Sequence, residues 1–565
     1  MTEEEAQRKH YERAHHERQQ HVDAVVHSDS RKKLVVAGPG TGKTFLFKTV
    51  LQGKGQTLTL TFVNALVEDL SRDLFCLSDV KTLHSYARAQ LGKATRQSIR
   101  VYPRLSTVIR QDAGVLLGVS VDFDPIFQNR NDGDQHLDFY RARRRYYDHY
   151  GFSDIVYAAV LYFEQHSDRI PSYAQVVVDE FQDFNALEVS LIDLLATRSP
   201  ILLAGDDDQA LYESLKSASP KHIRDRHSGT KPGYARFALP YCSRSTRVII
   251  DSANDIIVGA QRAGLLVGRI DKPFRYFPYP KKDKESDAHP CLIYSRVFPK
   301  QVPWFIEKHI TEITRAVRDE YTVLILSPTR KQCRKTYEAL KAKGFQNVQF
   351  AERMEGVDPC LMDGLRLLLL DKDCNLGWRI VSQTLMPQTD FEALLRQAHT
   401  KGDGSRMVEC VGENLKKQVR RMLTALRRLR DGKDVDGDQL SEVFEYLGID
   451  PHRRAAQSLR DELEVTGQRL AEPGIRRTPI KVTTFQSSKG LAADYVFITH
   501  FDDRYCLRDS DAGVSDQDIC SFLVALTRAR RGVYLLTTDR KLTPTFLSWI
   551  DGRRICEIES PGGDD

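Results

Sequence analysis

The sequence predicts an α/β fold in which two open parallel sheets are flanked by helices and interrupted by mainly helical insertions. A short β-branched run at residues 34–36 leads into a glycine-rich loop and then an apolar helical stretch. Two further apolar runs, at residues 176–178 and 201–204, each end in a cluster of acidic residues. Similar runs recur in the C-terminal half, separated by helical stretches, and this alternation is typical of parallel sheets.

Length and composition limit the class of protein. A chain of 565 residues with 41% hydrophobic residues is long enough for two or more domains. Lysine and arginine outnumber acids by 83 to 77, a balance that suits nucleic acid and many enzymes alike. Ten scattered cysteines without a C-x-x-C pair argue against a disulfide framework or a structural zinc site. The charged N-terminus and the lack of a long apolar run predict a soluble, cytoplasmic protein without a membrane partner.

The glycine-rich loop AGPGTGKT begins at Ala37 and has the composition of a phosphate-binding loop. Its glycines let backbone N–H groups approach the β-phosphate, and the Lys43 ammonium neutralises charge on the β- and γ-phosphates. The Thr44 hydroxyl, at the start of the following helix, is suited to bind Mg²⁺. The loop therefore predicts ATP and Mg²⁺ as cofactors, with contacts from Gly38, Gly40, Thr41, Gly42, Lys43 and Thr44.

The acidic clusters after the next two strands provide candidate groups for hydrolysis. Asp179 is placed to hold Mg²⁺, and the adjacent Glu180 is placed to orient and deprotonate the attacking water. Acidic clusters after strands are also often solvated loops. The third strand runs into Gly205 and three aspartates, after which the Gln209 amide is a candidate sensor of the γ-phosphate.

Three motifs in this order, AGPGTGKT, VVVDEFQD and LLAGDDDQALY, resemble motifs I, II and III of the UvrD/Rep superfamily 1 DNA helicases, a family that includes PcrA. Shorter stretches, LTFVN from Leu60 and TLHS from Thr82, resemble motifs Ia and Ib. The resemblance implies two RecA-like P-loop motor lobes that bind single-stranded DNA. The residues for which it implies DNA contact are Thr61, Phe62, Asn64, Thr82, His84, Tyr212 and Thr484.

The second half of the chain resembles the remaining motifs of the family. LPYCSRS from Leu239 resembles motif IV, and VALTRAR from Val524 resembles motif VI. The resemblance implies that Arg244 and Arg528 reach across a cleft to the γ-phosphate and stabilise charge in the transition state. TTFQSSKGL resembles motif V and implies that Gly490 lies near the same phosphate.

Base recognition departs from the family pattern. In motif IV the tyrosine that stacks on adenine is replaced by Ser243, which makes Tyr241 the candidate for that stack. Gln20 or Gln19, ahead of Ala24, is the candidate for the adenine-reading glutamine, and their spacing leaves the choice open.

Motifs III and V also differ from the family. The histidine of motif V is Gln486 and the glutamate after K-G-L is Ala492, so selection of the nucleotide stays open. The aromatic that stacks on a base after motif III is absent, which leaves Tyr212 and Phe62 as stacking candidates.

The resemblance also divides the chain by position. Residues 1–85 and 173–240 correspond to the first motor lobe (1A), and residues 241–350 and 479–545 to the second (2A). Residues 86–172 correspond to an insertion 1B and residues 351–478 to a reduced 2B-like insertion. Residues 546–565 form a C-terminal tail.

Two basic stretches in these insertions have more than one interpretation. Residues 139–147 interleave arginines with aromatics, which suits binding of a single strand but equally suits a solvated helix face with its aromatics in a core. Apolar residues from Leu415 to Leu429 recur at helical spacing among many lysines and arginines. This basic helix would grip duplex DNA, dock on a partner or only face solvent.

The resemblance implies an ATP-dependent 3′ to 5′ translocase and helicase that acts on single-stranded DNA and on junctions between single and double strands. The altered motif III and the reduced 2B segment suggest an alternative to the helicase function. In that alternative the chain is a DNA-stimulated regulatory ATPase subunit that acts with a protein partner in repair or anti-phage defence and does not unwind DNA alone.

Overall fold

The structure is a computed structural model. It describes residues 3–62, 64–211, 217–317, 320–345, 347–350, 358–402, 404–430, 479–539 and 541–559. The chain forms two compact units. The first comprises Met1–Tyr86, Phe163–Arg353 and Arg476–Asp565, and the second comprises Ala87–Tyr162 and Met354–Ile475. The lobe and insertion boundaries expected from the resemblance stay predictions.

Short strands form the sheets of the first unit. In chain order they are β1 (Lys32–Ala37), β2 (Thr57–Thr61), β3 (Asp79–Thr82), β4 (Gln175–Val178), β5 (Ile201–Gly205), β6 (Ala235–Leu239), β7 (Tyr241–Cys242), β8 (Arg275–Tyr276), β9 (Leu292–Arg296), β10 (Val323–Ser327), β11 (Val348–Phe350), β12 (Ile480–Thr484), β13 (Ala493–Ile498), β14 (Ala529–Thr537) and β15 (Ile555–Glu557).

The helices are α1 (Glu3–Val26), α2 (Lys43–Leu51), α3 (Asn64–Asp73), α4 (Leu83–Thr95), α5 (Leu105–Leu117), α6 (Phe123–Gln128), α7 (Leu137–Tyr147), α8 (Phe152–Gln165), α9 (Ala186–Arg198), α10 (Lys221–Ser228), α11 (Arg247–Arg262), α12 (Pro280–Ala288), α13 (Val302–Ala316), α14 (Arg330–Ala342), α15 (Leu361–Leu370), α16 (Asn375–Leu385), α17 (Gln388–Thr400), α18 (Glu413–Arg430), α19 (Asp503–Cys506), α20 (Asp516–Leu526) and α21 (Thr545–Trp549). Within the described ranges, no helix combines the length and the apolar character needed to cross a bilayer.

The first sheet has the strand order β3-β2-β4-β5-β1-β6 among the described residues, and all its pairs are parallel. Its central strands are buried along their whole length, which explains their continuous apolar sequence. The packing of α2 against β1 and β5 buries Leu46 and Phe47 in the core of this lobe.

The second sheet has the order β11-β12-β10-β13-β14-β9-β15 and is also parallel throughout. The apolar runs expected in the C-terminal half of the chain form β10, β12, β13 and β14. The α/β prediction with two parallel sheets is therefore confirmed. At one edge, β15 comes from the stretch expected to be a C-terminal tail and pairs with β9.

The second unit is helical and settles part of the ambiguity of residues 139–147. On α7, Tyr140, Tyr146 and Tyr147 are buried, and so is Arg143. These aromatics belong to the core of the unit, as expected if the segment is a helix with one solvated face. On α18, Val419, Met422 and Leu426 are buried, whereas Lys417, Arg420, Arg421, Arg427 and Arg428 are exposed.

A buried ion cluster joins the two segments of this unit. The Asp112 carboxylate on α5 accepts hydrogen bonds from Arg143 Nε (2.9 Å) and Tyr147 Oη (2.6 Å) on α7 and from Arg379 Nε (3.0 Å) on α16. Burial opposes the charge of Asp112, but Arg143 and Arg379 outweigh it and lower its pKa. Each buried charge of the cluster is therefore neutralised only when the others are present.

Substitution Asp112→Asn is expected to destabilise the second unit by about 3–5 kcal/mol, since it leaves two buried guanidinium groups without their anion. Chemical denaturation followed by circular dichroism measures the change. The control is Asp138→Asn, which breaks an exposed ion pair with Arg141 and should cost no more than about 1 kcal/mol. Equal effects of the two substitutions would contradict the role of the cluster.

Candidate functional site

The order of the strands brings the three polar motifs of the first sheet together. β4, β5 and β1 are neighbours, and in a parallel sheet their carboxyl ends share one edge. The loop after β1, the pair Asp179 and Glu180 after β4, and Gln209 after β5 therefore converge. This edge is where ligands bind in open parallel sheets.

The loop after β1 has the backbone of a phosphate cradle. Gly40 and Gly42 both have positive φ, of 72° and 98°, and α2 begins at Lys43. A Cβ on Gly40 would lie 2.4 Å from the Cβ of Arg244, so glycine is needed there for space as well as conformation. The Thr41 hydroxyl donates to the Gly38 carbonyl at 2.8 Å, and Thr44 lies in the first turn of α2, where anions and their metal ions are held.

Lys43 is paired with both candidate acidic residues. Its Nζ lies 2.5 Å from Glu180 Oε1 and 3.5 Å from Asp179 Oδ1. Burial disfavours the ammonium, but the two carboxylates outweigh this effect and raise the pKa of Lys43. Burial likewise opposes the charge of Glu180, but Lys43 and Lys489 lower the pKa of that carboxyl. Glu180 has φ 54°, a left-handed conformation that is uncommon outside glycine.

The site fits a divalent cation by its donor set. The Asp179 carboxylate and the Thr44 hydroxyl are oxygen ligands of the kind that Mg²⁺ prefers. Burial, followed by the neighbouring charge of Glu180, raises the pKa of Asp179 despite the opposing effect of Lys43. A cation here would stabilise two crowded carboxylates.

Gln209 connects the two sheets. Its Nε2 donates to Asp206 Oδ2 at 2.7 Å, and its Oε1 accepts from Arg528 Nη2 at 3.1 Å. Arg528 follows α20 and precedes β14 of the second sheet. Burial, and then the charge of Arg244, lower the pKa of the Arg528 guanidinium. An anion bound beside Arg528 would offset both the burial of its charge and the repulsion by Arg244.

Arg244 lies directly beside the phosphate loop. The preceding residue, Ser243, donates its N–H to the Gly40 carbonyl at 3.1 Å, and Lys282 Nζ donates to the Arg244 carbonyl at 2.8 Å. The side chain of Arg244 is half-buried, and this loss of solvent lowers its pKa. The structure thus brings together Lys43, Asp179, Glu180, Gln209, Arg244 and Arg528, the predicted catalytic set.

Lys489 is a central residue of the site for which the sequence predicts no role. Its Nζ donates to the Gln209 carbonyl at 2.5 Å, contacts Asp183 Oδ2 at 2.5 Å and lies 3.8 Å from Glu180 Oε2. Gly490 follows it with φ 87°. The sequence signal for this residue is its place in the K-G-L of motif V, since a buried lysine must have anionic partners.

Lys272 is a second residue that was missed. Asp206, Asp207 and Asp208 converge on its Nζ at 2.6–2.8 Å. Arg269 adds two contacts to Asp208, and Arg224 donates to Asp207 at 2.9 Å. These three aspartates are close enough to hold a metal ion, but three protein cations already neutralise them. Nothing near Lys272 in the sequence marks this role.

A small cavity lies beside Gly42, between α1 and the segment that carries Tyr241. Arg18 and His21 line it together with Phe45 and Tyr241. The Tyr241 hydroxyl donates to the Glu17 carboxylate. The structure does not place Gln20 or Gln19 at this cavity. Gln20 is exposed and hydrogen bonds His16, whereas Gln19 is exposed and donates to Asp23.

All but Tyr212 of the residues expected to contact DNA lie at or just after the ends of β2, β3 and β12. Thr61 and Phe62 are buried, and the Phe62 ring packs edge to face on Phe184 at 5.7 Å. The Thr82 hydroxyl accepts the Ser85 N–H at 3.2 Å, and His84 Nε2 lies 3.8 Å from Glu188 Oε1.

The remaining three expected DNA contacts are described only in part. Thr484 ends β12 and accepts the Ser487 N–H at 3.3 Å. Tyr212 and the side chain of Asn64 lie outside the described residues.

Comparison with known proteins agrees with this geometry. Residues 21–215 match the AAA domain family. The putative ATP-dependent DNA helicase YjcD of Bacillus subtilis is 28% identical over 160 residues, which cover 26% of this chain and 20% of that protein. The ATP-dependent DNA helicase PcrA of Leuconostoc citreum is 25% identical over 280 residues, covering 40% of this chain and 37% of PcrA.

DNA helicase II of Escherichia coli is 35% identical over 86 residues, covering 15% of this chain and 12% of that protein. The chain therefore spans between 12% and 37% of the length of these three relatives. The sequence similarity is thus confined to a part of each of these relatives.

Proposed function

Because the chain is related to the UvrD- and PcrA-type superfamily 1 DNA helicases, we propose that it is an ATP-dependent motor on single-stranded DNA that moves 3′ to 5′ and unwinds duplexes at single-strand junctions. One observation carries this proposal. Arg528, from the lobe of the second sheet, donates to Gln209 at the end of β5 in the first sheet. A cation from one lobe on the phosphate-sensing amide of the other links hydrolysis to the contact between them.

The residues of the first sheet hold the nucleotide. The loop amides and the Lys43 ammonium bind the β- and γ-phosphates, while Thr44 and Asp179 hold Mg²⁺. When bound, Mg²⁺ neutralises charge on the phosphate oxygens. Glu180 accepts the proton of the attacking water. Because Lys43 is 2.5 Å from Glu180, phosphate must draw Lys43 away before Glu180 is available as a base.

Arg244, which follows β7, and two residues beside strands of the second sheet, Arg528 and Lys489, complete the site. Arg244 and Arg528 supply positive charge to the γ-phosphate. Arg528 is buried and Arg244 is half-buried, and both cations gain an anionic partner in this way. Lys489 donates to Gln209 and contacts Asp183. Its contacts give the first sheet a second link to the DNA-binding motif that ends β12. Binding and hydrolysis of the nucleotide are therefore transmitted toward the bound DNA strand.

Steady-state ATP hydrolysis with and without single-stranded DNA tests the proposal, in parallel with unwinding of duplexes that carry a 3′ or a 5′ tail. We expect DNA to stimulate hydrolysis and only the 3′-tailed duplex to be unwound. Stimulation without unwinding would favour the regulatory ATPase that acts with a partner. Hydrolysis that ignores DNA would contradict a DNA motor of either kind.

A further inference from the structure

The side chains that line the cavity beside Gly42 would make different hydrogen bonds to a nucleotide base from those that a glutamine makes. It adjoins the phosphate loop, and the side chains of Tyr241 and Phe45 give it aromatic walls. Its polar side chains on α1 are Arg18 and His21, three residues apart and so on one face of the helix. The two neighbouring glutamines have hydrogen-bond partners on the outer face.

The Arg18 side chain lines the cavity beside Gly42 of the phosphate loop. Its Nη2 lies 3.0 Å from where a Cβ on Gly42 would be, and its guanidinium stacks on the Phe277 ring at 4.7 Å from the centroid. Across the described ranges, no carboxylate lies within ion-pair distance of Arg18, and no carbonyl accepts a hydrogen bond from it. A half-buried guanidinium thus faces the cavity with its donors unused, and it gains by meeting an acceptor.

The pattern of donors and acceptors decides which base suits such a group. A glutamine amide both donates and accepts, which matches the N6 amino group and N7 of adenine. A guanidinium only donates, which matches the two acceptors O6 and N7 of guanine. His21 supplies one donor and one acceptor when neutral, so it suits either base.

We propose that Arg18 makes guanine a base that this cavity accepts, so that GTP is a substrate alongside ATP and Arg18 is a specificity-determining residue. The inference rests on the proposed function, because it concerns the nucleotide of the same site. Tyr241 or Phe45 provides the apolar surface for either purine, and Arg18 sets the preference between them.

The test compares kcat/KM for GTP and ATP in the full chain with single-stranded DNA present. We expect GTP to be used at least as well as ATP. In Arg18→Gln the ratio of the two values, GTP over ATP, should fall roughly tenfold, the size of one bidentate contact to guanine. Arg8→Gln is the matched control, since Arg8 is an exposed residue of α1 that pairs with Glu12. It should leave the ratio unchanged.

Displacement of a fluorescent nucleotide by GDP and by ADP measures base preference without hydrolysis. If neither triphosphate is hydrolysed, the proposed function fails while the affinities still judge the base preference. The inference is overturned if the wild-type protein disfavours guanine tenfold or more in both measurements. It is also overturned if Arg18→Gln weakens both nucleotides equally, because Arg18 would then contact phosphate.

Discussion

Substitution Arg528→Ala is expected to lower the kcat of ATP hydrolysis by about 10³-fold and to leave nucleotide affinity within a few-fold of the wild type. Arg528 is buried, contacts Gln209 at 3.1 Å and is held by its Nε hydrogen bond to the Val524 carbonyl at 2.9 Å. A fixed cation of this kind acts on charge that develops at the γ-phosphate, and arginine fingers contribute about 10³ to 10⁵ to kcat.

The matched control for this prediction is Arg262→Ala, because Arg262 is an exposed arginine at the end of α11. Single-turnover hydrolysis with saturating DNA separates the chemical step from binding. A loss in affinity that accounts for the whole effect would mean that Arg528 only binds the ground state. Equal activity of both variants would remove Arg528 from the transition state.

The sheets and the nucleotide motifs could be predicted because their signals are local. A buried parallel strand is a continuous apolar run, and the polar group that follows it is forced to the common edge of the sheet. The position of Asp179, Glu180 and Gln209 at this edge follows in this way, while their roles stay predictions. Edge strands gave no such signal, and β11 and β15, of three residues each, were missed.

Features that depend on long-range packing could not be predicted. Lys272 meets Asp206, Asp207 and Asp208 from more than sixty residues further along the chain. The face of α1 was equally uncertain, since each residue turns a helix by about 100° and a shift of one position changes which side chain lies inward. The sequence therefore indicates Gln20 or Gln19, whereas Arg18 and His21 line the cavity.

The proposed coupling between the lobes depends on which partners the charged side chains of the site have before nucleotide binds. Lys43 is bound to Glu180, and Arg528 to a neutral amide. A triphosphate brings several negative charges to this edge, so it competes with Glu180 for Lys43 and attracts both arginines. Binding would therefore rearrange contacts on both sheets at once, which is what the proposed motor requires in each cycle.

Substitution Glu180→Gln is expected to lower kcat by about 10³-fold while nucleotide binding is retained or strengthened. The amide cannot accept the proton of water, and general bases contribute about 10² to 10⁴ to the rate. It also removes the charge that holds Lys43 at 2.5 Å, which frees the ammonium for phosphate. Lys43→Ala is the contrasting variant and should lose both hydrolysis and binding. Fluorescent-nucleotide titration and steady-state hydrolysis distinguish the two, and substantial turnover in both variants would refute the roles of Lys43 and Glu180.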